Sequence, residues 1–198
     1  MEVFFLLSAF VLGSFPTGVV VARAKGVDLR KVGSGNIGAT NVGRALGRGW
    51  AILVLAVDAG KGAIPVLLAR HFFPSLWWAA SAGFVVVLGQ VFSVFLKGRG
   101  GKGVATSLGA GFALAPLAAL GPVVVWLALV LAFRIPSVGS MAAALSFPLS
   151  LWLLGDASAP KLGFAAAVAI LVVARHKDNL QRLVNGNELR AERLPPRQ

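Results

Sequence analysis

VATSLGAGFALAPLAALGPVVVWLALVLAF, residues 104–133, is the stretch on which the fold turns. It is apolar almost throughout, yet it is too long for one crossing of a hydrocarbon core of ~30 Å, which takes ~20 residues at 1.5 Å each. Pro116 lacks the N–H that a helix interior requires, and Gly121-Pro122 follows closely. The run therefore predicts two shorter helices, 104–115 and 117–133, meeting at a turn. That reading sets the parity of the chain: one helix here would put the basic tail beyond Arg175 on the opposite side from the basic loops.

Working outward, residues 3–22, 50–70, 77–96 and 137–154 each have spanning length, and a thirteen-residue run, 162–174, ends abruptly at Arg175-His176-Lys177-Asp178-Asn179. The total is about seven transmembrane segments, some short, or five with re-entrant pieces; six do not fit the charges. With the N-terminus outside and the C-terminus cytoplasmic, 16 of the 19 Lys and Arg residues fall inside, and only Arg70 and Lys161 fall outside, with Lys61 within the second span. Such a bias satisfies the positive-inside rule. Trp50, Trp77, Trp78 and Trp152 stand near predicted helix ends, where a chain without Tyr needs interfacial anchors.

Composition agrees. The hydrophobic share is 57%, the charged share 13% and the mean hydropathy +0.82, against roughly 45–50% and about 25% for a soluble domain. A water-soluble globule, a disordered chain and a collagen-like repeat are all excluded. The expected class is an all-α polytopic membrane bundle, one integral membrane domain over residues 1–198. Ala22-Arg23-Ala24 resembles a cleavage site, but the preceding run has no basic n-region, so the segment is kept as a spanning helix. Zero Cys removes disulfides and thiol nucleophiles, and two His without clustered carboxylates leave no metal ligand set. No cofactor is expected. The net charge of +12 calls for anionic partners such as phosphates and lipid headgroups; nucleic acid is not among the expected partners.

Three polar segments share the predicted inner face. The first reads Gly33-Ser34-Gly35-Asn36-Ile37-Gly38-Ala39-Thr40-Asn41-Val42 with Arg44 beyond it, and the second Gly98-Arg99-Gly100-Gly101-Lys102-Gly103-Val104-Ala105-Thr106. Both satisfy G-x-G-x-x-G, but membrane helices flank them where a dinucleotide fold needs a strand and a βαβ unit. Leu96 also stands where a Walker A loop needs its first Gly. What survives is the chemistry of such loops: glycines turn successive N–H groups into one concavity, a helix start adds a positive dipole end, and Lys or Arg completes a phosphate cradle. The third segment runs from Arg175 to Glu188. Its cations suit a juxtamembrane helix on anionic lipid, while His176 and Asn179, at i and i+3, share a helix face and form a candidate base and hydrogen-bonding partner. Asp58 and Lys61, one turn apart inside the second span, are either a self-neutralising pair or part of a polar pathway. Gly13-Ser14, Pro16 and Gly18 are read as loosening the first helix and allowing close packing.

These segments resemble the three signatures of the bacterial acyl-phosphate:glycerol-3-phosphate acyltransferases, the PlsY family: Ser34 to Asn41, Gly100 to Thr106, and Arg175-His176 through Asn179, Arg182, Gly186 and Glu188. The resemblance runs from Gly13 to Glu188. It implies a bacterial inner-membrane enzyme, with its site on the cytoplasmic side, that moves an acyl chain from acyl phosphate to the 1-hydroxyl of glycerol 3-phosphate. The products are lysophosphatidic acid and phosphate, in the first acylation of phospholipid synthesis. It implies catalytic roles for His176, Ser34, Asn179, Arg44 and Lys102. Substrate contacts are implied for Gly33, Gly35, Asn36, Gly38, Thr40, Asn41, Lys61, Arg99, Gly100, Gly101, Gly103, Thr106 and Glu188. Gln90 stands where the family commonly has His, which leaves that position's role open, and Lys97-Gly98-Arg99 replaces a common Gly-Phe-Lys. The implied partners are glycerol 3-phosphate, acyl phosphate and membrane lipids, with a soluble acyl-phosphate-forming enzyme as a candidate on the basic face. A mixed anhydride needs no covalent acyl-enzyme, and the His-x4-Asp signature of soluble acyltransferases is absent, since Leu76 and Gln181 stand at that spacing from His71 and His176. The competing reading is a transporter of phosphate or lysophospholipid, for which the chain offers no internal repeat.

Overall fold

The computed structural model describes residues 1–191, and every regular element among them is helical. In chain order these are α1 (Glu2–Ser14), α2 (Thr17–Ala24), α3 (Ala39–Leu46), α4 (Arg48–Phe72), α5 (Leu76–Val91), α6 (Val104–Leu114), α7 (Pro116–Phe133), α8 (Pro136–Leu153), α9 (Ala159–Arg175) and α10 (Lys177–Val184). Single 3-10 turns follow α2 and α5, at Leu29–Lys31 and Val94–Leu96.

The run 104–133 divides where Pro116 predicts. Ala115 leaves the helical region at φ −151°, ψ 78°, and Pro116 opens α7 at a position where its missing N–H costs nothing. The carbonyl of Ala113, near the end of α6, is taken up by the Arg70 guanidinium at 2.8 Å. All seven apolar segments fold as helices. Five are long and apolar enough to cross a membrane alone: Glu2–Ala24, α4, α5 with its following turn, α7 and α8. α6 is shorter, and α9 reaches spanning length only together with α10, across a bend of 54°.

Two expectations are corrected. The first span is broken rather than continuous: Pro16 cannot donate to the helix before it, so α1 stops at Ser14 and α2 restarts at Thr17. The last apolar helix is longer than its hydrophobic run, because Ala159-Pro160-Lys161 forms its first turn and Lys161 pairs with Asp156 just outside.

Small residues let the backbones meet, as helix packing inside a membrane requires. A Cβ at Gly109 would lie 1.8 Å from the Ala59 carbonyl oxygen, and one at Gly62 would lie 2.1 Å from that of Thr106, so α4 and α6 are in backbone contact. Gly13 against Val86 and Gly89 against Phe10 join α1 to α5 in the same way. Leu131, Ile170 and Val124 point outward with most of their surface free, as lipid-facing side chains do. Trp77 and Trp152 are exposed near helix ends, and Trp50 lies under the ammonium of Lys25.

One polar cluster sits inside this bundle. Asp58 and Lys61 are both buried and paired at 2.8 Å. Thr17 donates its hydroxyl to Asp58 at 2.8 Å, and Lys61 donates to the carbonyl of Phe15 at the break and to the Gln90 side chain. Each charge therefore meets an opposite charge and neutral partners, the arrangement that makes buried ions tolerable. Gln90 thereby joins α5 to the pair on α4, while Ser93 donates to the Ser14 carbonyl at 2.5 Å.

Candidate functional site

Asn41 shapes the first polar segment. Its Oδ1 accepts from the Ser34 N–H at 3.0 Å, and its Nδ2 faces the carbonyls of Leu29, Val32 and Asn36 at 2.8–3.2 Å. The amide is thus committed to holding the loop. Gly33 and Gly35 turn at φ +55° and +67°, where other residues are strained. Gly38 then opens α3, a helix that sequence reasoning left inside a loop. The N–H groups of Ala39 and Thr40 at its start have no acceptor one turn back, and both residues line a cavity with Ser34, Asn36 and Arg44.

The second segment is fastened to the end of α5. Gly100 and Gly101 donate their N–H groups to the carbonyls of Val91 and Gln90 at 3.1 and 2.9 Å. A Cβ at Gly100 would lie 2.1 Å from the Gln90 carbonyl oxygen. This close approach fixes where Lys102 emerges. Gly103, at φ +79°, begins α6, and it lines the same cavity as Lys102.

The third segment supplies His176 and Asn179, both buried, at the bend between α9 and α10. His176 Nδ1 lies 2.7 Å from the carbonyl oxygen of Val172. A carbonyl only accepts, so Nδ1 carries the proton and Nε2 keeps its lone pair. Burial pushes the imidazole down to about 4, and the neighbouring Lys102 adds to this against the opposing Val172 bond. Lys102 itself is lowered to about 8, by burial first and then by Arg182. Its ammonium donates to Asn179 Oδ1, and Asn179 Nδ2 donates to Glu188 Oε1 at 2.6 Å. Ser137 donates to the same oxygen at 2.7 Å and Arg182 to Oε2 at 2.8 Å. Burial alone would raise the Glu188 carboxyl, but these three donors outweigh it and hold the group below the ordinary range. The chain after α10 thus crosses the site, tied also by the Leu189 carbonyl to Arg44 and by the Ala191 N–H to the Arg134 carbonyl.

These pieces surround one cavity of about 690 Å3. Ser34, Asn36, Gly38, Thr40, Asn41, Arg44, Lys102, Gly103, His176, Asn179 and Glu188 all lie on its wall. Seven residues expected at the substrate do not. Gly33 and Gly35 shape the loop behind the wall, and Gly100 and Gly101 press against α5. Thr106 is buried in the α4–α6 contact. Arg99 projects outward while its carbonyl receives the Arg30 guanidinium, and Lys61 belongs to the intramembrane cluster, which reaches the wall through Asp58 and Gln90 but not through Lys61 itself. The structure also adds residues to the wall: Ser137, which follows Pro136 just past the Arg134 turn, Arg48 at the start of α4, and Trp126, bonded to Ser140 at 3.2 Å. A serine directly after a helix-opening proline beside a charged turn was the available signal for Ser137. Nothing in the local sequence marks Trp126.

The cavity is cationic and N–H-rich at one end and lined with aliphatic side chains of α4, α6, α7 and α8 elsewhere. It suits a phosphate head with a hydrocarbon tail. Residues 3–186 match the family model of glycerol-3-phosphate acyltransferases. The chain belongs to the glycerol-3-phosphate acyltransferase family. A family relative from Geotalea daltonii is 42% identical over 187 residues, 94% of this chain and 96% of its own. One from Thermus thermophilus is 47% identical over 194 residues, covering 97% and 96%. Among solved structures, PlsY (YgiH), an integral membrane glycerol 3-phosphate acyltransferase in its glycerol 3-phosphate form, superposes with a TM-score of 0.92 at 43% identity over 96% of each chain. Its lysophosphatidic acid form gives 0.89 at 42% identity. The family assignment covers all three polar segments as far as Gly186 and the whole apolar wall.

Proposed function

We propose that the protein transfers a fatty acyl group from an acyl phosphate to the 1-hydroxyl of glycerol 3-phosphate, releasing lysophosphatidic acid and inorganic phosphate. The single observation that carries this reading is the convergence of Lys102, Arg44 and the α3 N–H groups with His176 on one cavity whose remaining wall is apolar. Both reactants bring a phosphate, and the donor brings a hydrocarbon chain as well. Cations and preorganised N–H groups in a partly desolvated site hold both anions side by side, which turns a bimolecular reaction into a local one.

The hydroxyl oxygen attacks the acyl carbonyl carbon, the bond from that carbon to the phosphate oxygen breaks, and the hydroxyl proton leaves. His176 Nε2 is an acceptor in the ring's neutral form, and it orients the attacking hydroxyl. A phosphate oxygen, with a second pKa near 6, takes up the hydroxyl proton and carries it away with the released phosphate. Ser34, Arg44 and Lys102 hold the anions, Asn179 and Glu188 position Lys102, and Asn41 positions Ser34. The three polar segments face the cytoplasm of a bacterial inner membrane, with the N-terminus outside, as the distribution of Lys and Arg supports, and the whole chain works as one unit.

The test supplies purified protein with glycerol 3-phosphate and, in turn, acyl phosphate, acyl-CoA and an acyl carrier protein thioester. Lysophosphatidic acid is expected from acyl phosphate alone. Product from a thioester, with none from acyl phosphate, would overturn the assignment of the donor.

A further inference from the structure

The cavity has a depth that can be read from the helices around it. On α8 its wall runs from Ser137, at the polar end, to Phe147, ten positions or about 15 Å along the axis. On α9 it runs from His176 back to Val168, eight positions or about 12 Å. On α6 it stops at Gly111. The deep ends on α6 and α8 meet: a Cβ at Gly111 would lie 3.2 and 3.3 Å from two atoms of the Phe147 ring and 3.9 Å from Ala119 of α7. Phe147 in turn stands edge-on to Phe164, with ring centres 6.2 Å apart, and both belong to the packed core. Open space therefore gives way to close packing around the Phe147 ring, and the missing side chain of Gly111 leaves room for it.

We infer that Phe147 is a specificity-determining residue: its ring, seated against Gly111, is the floor that sets how long an acyl chain the cavity accepts. This rests on the acyl-transfer reading above. A chain whose phosphate is held by Lys102 and Arg44 descends between α6 and α8, and its terminal methyl reaches the ring. Longer chains must bend or leave water-free contacts unmade. Because interiors are close-packed, a shift of the floor by one side chain changes which chain fits.

Two variants move the floor in opposite directions. Phe147→Ala lowers it. Ala144→Phe, at a half-buried position on the cavity wall about one turn nearer the polar end and at the edge of the packed core, raises it. The measurement is kcat/KM for glycerol 3-phosphate acylation with decanoyl, hexadecanoyl and octadecanoyl phosphate. A methylene gained or lost in an apolar pocket is worth roughly tenfold or more. Ala144→Phe is expected to shift the hexadecanoyl-to-decanoyl ratio at least tenfold toward the shorter chain, and Phe147→Ala to raise the octadecanoyl-to-hexadecanoyl ratio. If Phe147→Ala does not fold, Ala144→Phe decides alone. A folded Ala144→Phe protein with the wild-type ratio would overturn the inference, since the chain would then leave sideways past the exposed Ile52 and Leu127. Failure of the wild-type protein to use any acyl phosphate would instead overturn the acyl-transfer reading itself.

Discussion

Lys102 is asked both to stay charged for phosphate and to sit among other cations in a partly buried site. With its ammonium lowered to about 8, the free enzyme loses this charge within the range of an ordinary assay. The kcat/KM for glycerol 3-phosphate is therefore expected to fall about tenfold per unit above pH 8. Lys102→Arg, which cannot be deprotonated, should remove that alkaline limb while turning over more slowly, because its planar fork does not reproduce the bond to Asn179. His176 gives a second test. His176→Ala should lower kcat by about a hundredfold while the protein still folds, with a lower melting temperature from the lost Val172 bond and packing. Its native pKa lies below the ordinary 6.5, so as the pH falls the unfolded chain takes up a proton before the folded one does. The wild-type melting temperature should therefore decline between about 6.5 and 4 more steeply than that of His176→Ala.

Helix contacts give sharper predictions than helix propensities. Gly109→Ala forces a methyl into the Ala59 backbone, whereas Gly49→Ala meets nothing within 4 Å. The first should lower stability by about 1–3 kcal/mol, read as a drop in melting temperature in detergent, and the second should leave it unchanged. Proline opens two of the helices: α7 begins at Pro116, where the sequence argument divides the run, and α8 at Pro136, one residue before the expected bound. Pro16 was legible only as a weakness, since a proline late in an apolar run does not reveal whether the helix bends or stops. α3 was hidden for a different reason. It has eight residues, no side-chain cap and a glycine-rich approach, and only its packing against the membrane helices makes it a helix.

Across the whole molecule, the polar half of the site was legible and the apolar half was not. Loops rich in Gly, Asn and Lys stand out against membrane helices, but α7 is apolar on every side, so the face toward the cavity looks the same as the face toward lipid. Four of the seven expected substrate contacts outside the wall are glycines, because the same glycines that build a phosphate loop also shape turns and serve close packing, and only coordinates separate these uses. The crossing of the chain after α10 is a property of the assembled site. Asn179→Ala and Glu188→Gln are each expected to raise KM for glycerol 3-phosphate about tenfold, and together no more than the worse of the two, because they interrupt one network. The broken first span has a consequence for biogenesis. The carbonyls of Ser14 and Phe15 find their side-chain donors on Ser93 and Lys61, which a ribosome delivers much later. A nascent chain released before residue 61 leaves both carbonyls without these donors, so its opening segment should be less firmly seated, and more readily extracted by carbonate, than that of a chain carried past residue 96. Partitioning of staged truncations between pellet and supernatant would measure how far the opening segment depends on its successors.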